Sequence, residues 1–343
     1  MCASMILRSR AHVCSTGPES ERSIMKKWKI AIVGAGYMAQ EHAKAFASLP
    51  EVEIVGVCGR TRARAEALAA LHGTQAYDSI DAMQHGSQAD AVVVAVNELS
   101  MHAVCEAVFA HPWLCLLEKP VGVDLAQAEA ILAMARRSGT RAYVALNRRT
   151  YASTRQALAE LEVDDSPRLI SVLDQQDMVF AREIGQPAEV VRNYMYANSI
   201  HLIDYFNLFG RGDIVAVDPN VRWTPQRPGF VVATVRFASG DTGLYQAVWD
   251  GPGPWAVTVT NRQVRLEMRP LEQLGVQRRG ERKLTAVAPD PIDTDFKPGL
   301  RHLAEQIVSS LGGVPTTLAT LDEATRSMAL CADIYGLRPA SAA

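Results

Sequence analysis

From Lys29 onward, short apolar runs alternate with stretches of helical periodicity. Residues 29–33, 54–58, 91–96, 114–117 and 141–145 are runs dominated by Ile, Val, Leu, Ala and Cys, too short for helices, and they predict strands. The run at 91–96, Ala-Val-Val-Val-Ala-Val, has no polar position, as a central parallel strand covered on both faces requires. Between the runs, residues 39–49 and 62–72 read as amphipathic helices. Strands separated by helix-length segments predict βαβ units and a doubly wound parallel sheet.

After about Asn147 the texture changes. A helical stretch at 151–161 leads into a strand at 168–173, followed by β-branched runs at 230–237, 242–249, 256–260 and 264–268. Ser239-Gly240-Asp241 between two of these is a hairpin signal. Helices are predicted near 199–209, 300–311 and 322–336. This half reads as an α+β unit with an open, mostly antiparallel sheet. A chain of 343 residues is long for a single core, and the change of pattern divides it at residues 26–147 and 148–338, with the C-terminal helix free to pack back on the first unit. Residues 1–25 lack periodicity and contain the turn-rich run Ser15-Thr16-Gly17-Pro18. They predict a disordered extension, or an overlong start with Met25 as the true beginning. Met5-Ile6-Leu7 is too short for a signal core, and Glu19 and Glu21 count against a transit peptide.

Composition narrows the function classes. A formal net charge of −2 gives no general attraction for polyanions, so nucleic acid is not an expected partner. No run approaches the ~18 apolar residues a membrane span needs, so no membrane partner is expected either. Of the six cysteines, Cys58 and Cys115 lie within strand-like apolar runs and no C-x-x-C pair occurs. That is the pattern of reduced thiols in a cytoplasmic protein.

The first chemical signal is Gly34-Ala35-Gly36-Tyr37-Met38-Ala39, directly after the first strand and opening a helix. In that context G-x-G-x-x-A is a dinucleotide-binding turn of Rossmann type. Gly34 permits the tight turn, Gly36 lets backbone approach a pyrophosphate, and the helix N-terminus offers free N–H groups. At the end of the second strand, where an NAD-binding turn usually has a carboxylate, the chain reads Cys58-Gly59-Arg60-Thr61-Arg62. Arg60 is placed to pair with a 2′-phosphate, with Thr61 and Arg62 adding to it. NADP(H) is favoured on this ground, with NAD(H) left open.

The second signal is Glu118-Lys119-Pro120 at the carboxyl end of a central strand, the edge where such sheets bind ligands. A lysine there can donate to a reacting oxygen, and the proline after it invites a cis bond. His102, Cys105, His111 and Cys115 superficially suggest a metal site, but Cys115 falls in a strand and His111 in a loop, so none is expected.

Together with Leu146-Asn147-Arg148-Arg149 and Ile200-His201-Leu202-Ile203-Asp204, these motifs resemble the Gfo/Idh/MocA family of glucose–fructose oxidoreductase and inositol dehydrogenase, over roughly residues 26–338. The resemblance implies an NAD(P)-dependent oxidoreductase acting on a CH–OH group of a sugar, polyol, inositol or nucleotide-sugar-like molecule. It implies that Lys119 orients the substrate oxygen and that His201 is the acid/base. Tyr37, Met38, Asn97, His102, Glu118 and Asn147 would lie with the glycines and Arg60 around the cofactor, and Arg148, Arg149 and Asn198 near the substrate. It implies a homo-oligomer, dimer or tetramer, formed through the second sheet. Tyr151, Tyr194 and Tyr196 suit a hydroxyl-rich ligand or a helix packed in a cleft.

One position departs from the resemblance. Many members carry Asp four residues before the histidine, where this chain has Ala197. Asn198 is adjacent but about 100° round a helix. Asp204 could orient the imidazole, although the resemblance implies a structural role for it. The departure keeps two alternatives in view: a cofactor-binding sensor or scaffold without catalysis, and a glycosidase-type enzyme that retains NAD with no net redox turnover.

Overall fold

The computed structural model describes residues 27–226 and 229–338; the predicted N-terminal extension lies outside them. Six parallel strands form the first sheet: β1 (Trp28–Val33), β2 (Val52–Cys58), β3 (Ala76–Tyr77), β4 (Ala91–Val94), β5 (Leu114–Leu117) and β6 (Ala142–Val144). Their order is β3-β2-β1-β4-β5-β6. The chain winds outward in both directions from the β1–β4 pair, so the loops after these two strands diverge and open a crevice at their carboxyl ends. β4 and β5 are buried at every position, as apolar runs without alternation require.

The second sheet has eight strands: β7 (Leu169–Gln176), β8 (Ile214–Val221), β9 (Phe230–Phe237), β10 (Thr242–Trp249), β11 (Ala256–Thr260), β12 (Val264–Met268), β13 (Leu274–Arg278) and β14 (Thr285–Ala286). Their order is β14-β13-β12-β11-β7-β10-β9-β8, and only β7 and β10 pair in parallel. Alternate residues face a helical layer: in β9, Val231, Ala233, Val235 and Phe237 are buried. On the opposite face, Phe230 and Leu169 are exposed among the described residues.

Two helices tie the halves together. Leu321–Ile334 opens with a capping box in which Thr320 and Glu323 satisfy each other's backbone N–H groups. It packs on Leu125–Ser138, which flanks the first sheet, and on Ile200–Phe209, which covers the second. Leu300–Leu311 lies against Tyr37–Ala47, the helix opened by the glycine turn. Buried apolar side chains run unbroken from Val94 and Leu117 in the first sheet through Leu146 and Tyr151 to Val172 and Tyr205. The junction of the two sheets is therefore solid core, and side chains from both can be held rigidly against each other across it.

Candidate active site

The crevice after β1 and β4 is a cleft of ≈540 Å³. Gly34 holds φ +120°, and a Cβ there would lie 2.1 Å from the Ala95 carbonyl oxygen, so no other residue fits this crossing of the two loops. Gly36 is different: a Cβ on it would meet nothing within 4 Å, leaving its backbone open to the cleft. It is also the N-cap of Tyr37–Ala47, with no capping side chain and no acidic residue in the first turn. The free N–H groups and the positive end of this helix fit the pyrophosphate of a dinucleotide.

At the other end of the cleft stand Arg60, Thr61 and Arg64. Arg62, expected beside Arg60, is instead spent on Glu66 and Asp78. Arg64, which was not anticipated, takes its place on the cleft wall, while Asp78 brings a carboxylate to the rim. Asn97 lines the cleft as predicted, but its side chain caps Glu98–Val108 by accepting from Ser100 N–H at 2.9 Å. His102 lies outside the lining, where the same helix contributes Ser100 and Val104. Tyr37 and Met38 also lie outside the lining: Tyr37 is 63% exposed with the Lys297 ammonium 5.3 Å from its ring centre, and Met38 packs half-buried against the core.

The residues of the second signal, Glu118-Lys119-Pro120, stand where β5 ends. The Lys119–Pro120 bond is cis. Lys119 Nζ donates to the backbone carbonyl of Ala197 at 2.8 Å. Burial lowers the pKa of this lysine, Arg148 and Lys297 lower it further, and Glu118 and Glu98 oppose them. Glu118 does not face the cofactor cleft as expected. Its Oε1 is 2.7 Å from His42 Nε2 in the interior. Burial alone would raise the pKa of this carboxyl, but the hydrogen bond and charge of His42, with Lys119, outweigh it and hold the group below its ordinary value.

His201, only 4% exposed, accepts from Arg148 Nη1 at 2.7 Å through Nε2. A guanidinium can only donate, so the imidazole is neutral with its proton on Nδ1, an atom that finds no partner among the described residues. Burial first, then the charges of Arg148, Lys119 and Lys297, push the pKa of His201 well below 6.5. Asn147 spends its amide on Pro298 O and its oxygen on Arg148, so it braces the site from behind and does not face a cofactor.

Arg149 leaves the site. Its guanidinium makes a bidentate pair with Asp204 at 2.7 and 2.8 Å, and Ser327 donates to the same carboxylate. This corrects two expectations at once: Arg149 is not placed for substrate, and Asp204 is not free to orient His201. Asn198 donates to Gln176, which donates to the buried Asp174, whose pKa burial raises. Tyr151 and Tyr196 are buried, leaving Tyr194 half-exposed.

The segment Met195–Ser199 is a π-helix, the wider winding found at many functional sites. It carries the Ala197 carbonyl that receives Lys119, and no 3.6-residue periodicity could have announced it. Trp255, 5.4 Å from the Arg148 guanidinium, and Lys297 were also missed, since each is isolated in a Pro/Gly-rich turn. His111 pairs with Asp81, and burial pushes Cys105 up to about 12. No group of three or more His, Cys, Asp or Glu suited to a metal occurs among the described residues.

Residues 28–146 match the family model for Gfo/Idh/MocA, described as an oxidoreductase family with an NAD-binding Rossmann fold. Over these residues the chain is similar to the Gfo/Idh/MocA family. Among curated Gfo/Idh/MocA-type relatives, glucose-6-phosphate 3-dehydrogenase of Bacillus subtilis is 29% identical over 121 residues, 35% of this chain and 34% of that protein. Inositol 2-dehydrogenase of Rhizobium meliloti is 30% identical over 122 residues, 35% and 36% of the two chains. These matches span about a third of each relative. Similarity of fold extends further. UDP-N-acetylglucosamine 3-dehydrogenase from Acidithiobacillus ferrooxidans superposes with a TM-score of 0.72 at 19% identity, covering 90% of this chain and 96% of that one. A dehydrogenase from Chromobacterium violaceum gives 0.76 at 19% identity, covering 91% and 95%.

Proposed function

We propose that this protein is an NADP(H)-preferring oxidoreductase that moves a hydride between nicotinamide and a hydroxyl-bearing carbon of a sugar-like molecule. The observation that carries the reading is the convergence of Lys119, from the turn after β5, and His201, from the helix Ile200–Phe209, beside the π-helix. When bound, the nicotinamide supplies the hydride acceptor or donor. Gly36 and the helix end behind it would hold the pyrophosphate, and Arg60 with Arg64 a 2′-phosphate. In the oxidative direction Lys119, with two N–H groups left after Ala197, donates to the substrate oxygen. His201 takes the hydroxyl proton as the carbon gives up its hydride, and the carbonyl product stays hydrogen-bonded to Lys119. The relatives' names, glucose-6-phosphate 3-dehydrogenase and inositol 2-dehydrogenase, support a CH–OH group as the target.

The test is turnover of NADP⁺ across a panel of sugars, polyols, inositols and nucleotide sugars. Ala197, and an Nε2 already engaged by Arg148, favour a second reading as a cofactor-binding protein without catalysis. Tight cofactor binding with no turnover across that panel selects it. A homo-oligomer joined through the open face of the second sheet, where Leu169 is exposed, is part of the proposal. Sedimentation equilibrium giving a monomer at micromolar concentration overturns that part.

A further inference from the structure

Two adjacent arginines in the turn Asn147–Thr150 are treated oppositely by the fold. Arg149 is fully paired with Asp204. Arg148 has no carboxylate partner among the described residues. It donates only to the neutral acceptors Asn147 Oδ1, at 2.9 Å, and His201 Nε2, at 2.7 Å. Its Nε is buried and without a partner, and the rings of Trp255 and Tyr151 flank the guanidinium at 5.4 and 5.9 Å. The neighbouring acids do not reach it: Asp293 accepts from Ala152 N–H and Gly299 N–H, and Glu272 stands by Tyr151, whose pKa it helps burial to raise.

Lys297 adds a second uncompensated charge. The turn that carries it is fastened to that of Arg148 by Asn147 Nδ2 donating to Pro298 O and Thr150 Oγ1 donating to Gly299 O. Lys297 forms no ion pair among the described residues, yet its charge is felt at both Lys119 and His201. With Ala197 contributing no carboxylate, the site holds a surplus of positive charge from Lys119, Arg148 and Lys297. A half-buried cation without a counter-ion is costly unless a ligand supplies one.

We propose that Arg148, supported by Lys297, is an anion subsite beside the reacting carbon, so that the substrate is a carboxylate- or phosphate-bearing hydroxy compound. The inference rests on the reading of Lys119 and His201 as the redox centre. It also explains why His201 Nε2 is engaged here: an anion that draws the guanidinium toward itself releases that lone pair to accept the hydroxyl proton. A neutral sugar offers Arg148 nothing to leave His201 for.

The test uses the full-length, NADP⁺-loaded protein and three kinds of probe: glucuronate and gluconate as carboxylates, glucose 6-phosphate as the phosphate, and glucose and sorbitol as neutral compounds. Binding is followed by calorimetry and turnover by reduced-nicotinamide absorbance. One anionic class is expected to exceed the neutral probes by about ten- to hundredfold in affinity or kcat/KM, the range for one charged hydrogen-bonding partner. Which class does so identifies the anion. Arg148→Gln should erase that ratio, and Lys297→Met should reduce it in a protein whose circular dichroism is unchanged. Equal affinity for charged and neutral probes, binding of neither anionic class, or a ratio that survives Arg148→Gln overturns the subsite. Anion-selective binding without turnover leaves the subsite standing and removes the redox reading. Turnover of neutral sugars without anion preference does the reverse.

Discussion

Lys119 Nζ lies 2.8 Å from the carbonyl oxygen of Ala197 and is held there by backbone, not by a carboxylate. A carbonyl fixes the ammonium in place but contributes no full charge to keep it protonated, and burial already lowers its pKa. The same position therefore sets both the geometry of the oxygen donor and its acidity.

Substituting Lys119 or His201 should separate chemistry from binding. Lys119→Met and His201→Gln are each expected to lower kcat by about 10²–10⁴-fold, with NADPH affinity changed by no more than a few-fold, because neither side chain lines the nucleotide cleft. Steady-state kinetics alongside fluorescence titration checks this. Unchanged turnover in both variants would remove the assignment.

The depressed pKa of His201 has a stability consequence with a definite sign. Between its unfolded value of 6.5 and its lower folded value, the unfolded chain binds the proton and the folded one does not. The stability associated with the neutral ring is therefore complete above pH 6.5 and is lost as pH falls from there toward the folded value. The slope is at most about 1.4 kcal/mol per pH unit. Urea titrations over this window should show a shallower acid slope for His201→Gln than for the parent. An identical slope in both would contradict a buried, neutral His201.

The two glycines of the turn should respond in opposite ways. Gly34→Ala places a Cβ 2.1 Å from Ala95 O at φ +120°, and is expected to cost more than about 2 kcal/mol of stability. Gly36→Ala meets nothing within 4 Å at φ −85°, so thermal stability should stay close to that of the parent while NADPH affinity falls. Loss of stability in Gly36→Ala, or retention of affinity, would show that the cradle is misplaced.

Much of this was readable from the chain, for physical reasons that also mark where reading stops. β9, β10, β11 and β12 coincide with their predicted runs because alternation of buried and open positions fixes a strand locally. β3 and β14 are two residues each, too short for any pattern. β8 is interrupted by Asp218-Pro219-Asn220, where its register slips. At the site, Gly34, Gly36, Lys119 and His201 could be singled out in the sequence because motifs are local. The fates of Glu118, paired with a histidine 76 residues away, and of Arg148 against Arg149 were not, since adjacent arginines look alike until the fold supplies or withholds a carboxylate. Arg62 was the exception that sequence could have resolved: Glu66 stands one helical turn on, at the spacing that forms ion pairs.

The most direct test of the whole account is titration of the purified protein with NADPH and NADH, followed by nicotinamide fluorescence. Arg60 and Arg64 line the cleft with no ion pair among the described residues. Saturable binding is therefore expected, with NADPH tighter by at least about tenfold and the gap closed in Arg60→Ala, as the loss of a charged hydrogen bond worth about 1.5–3 kcal/mol predicts. Binding of neither coenzyme, in reduced or oxidised form, would contradict the account at its root.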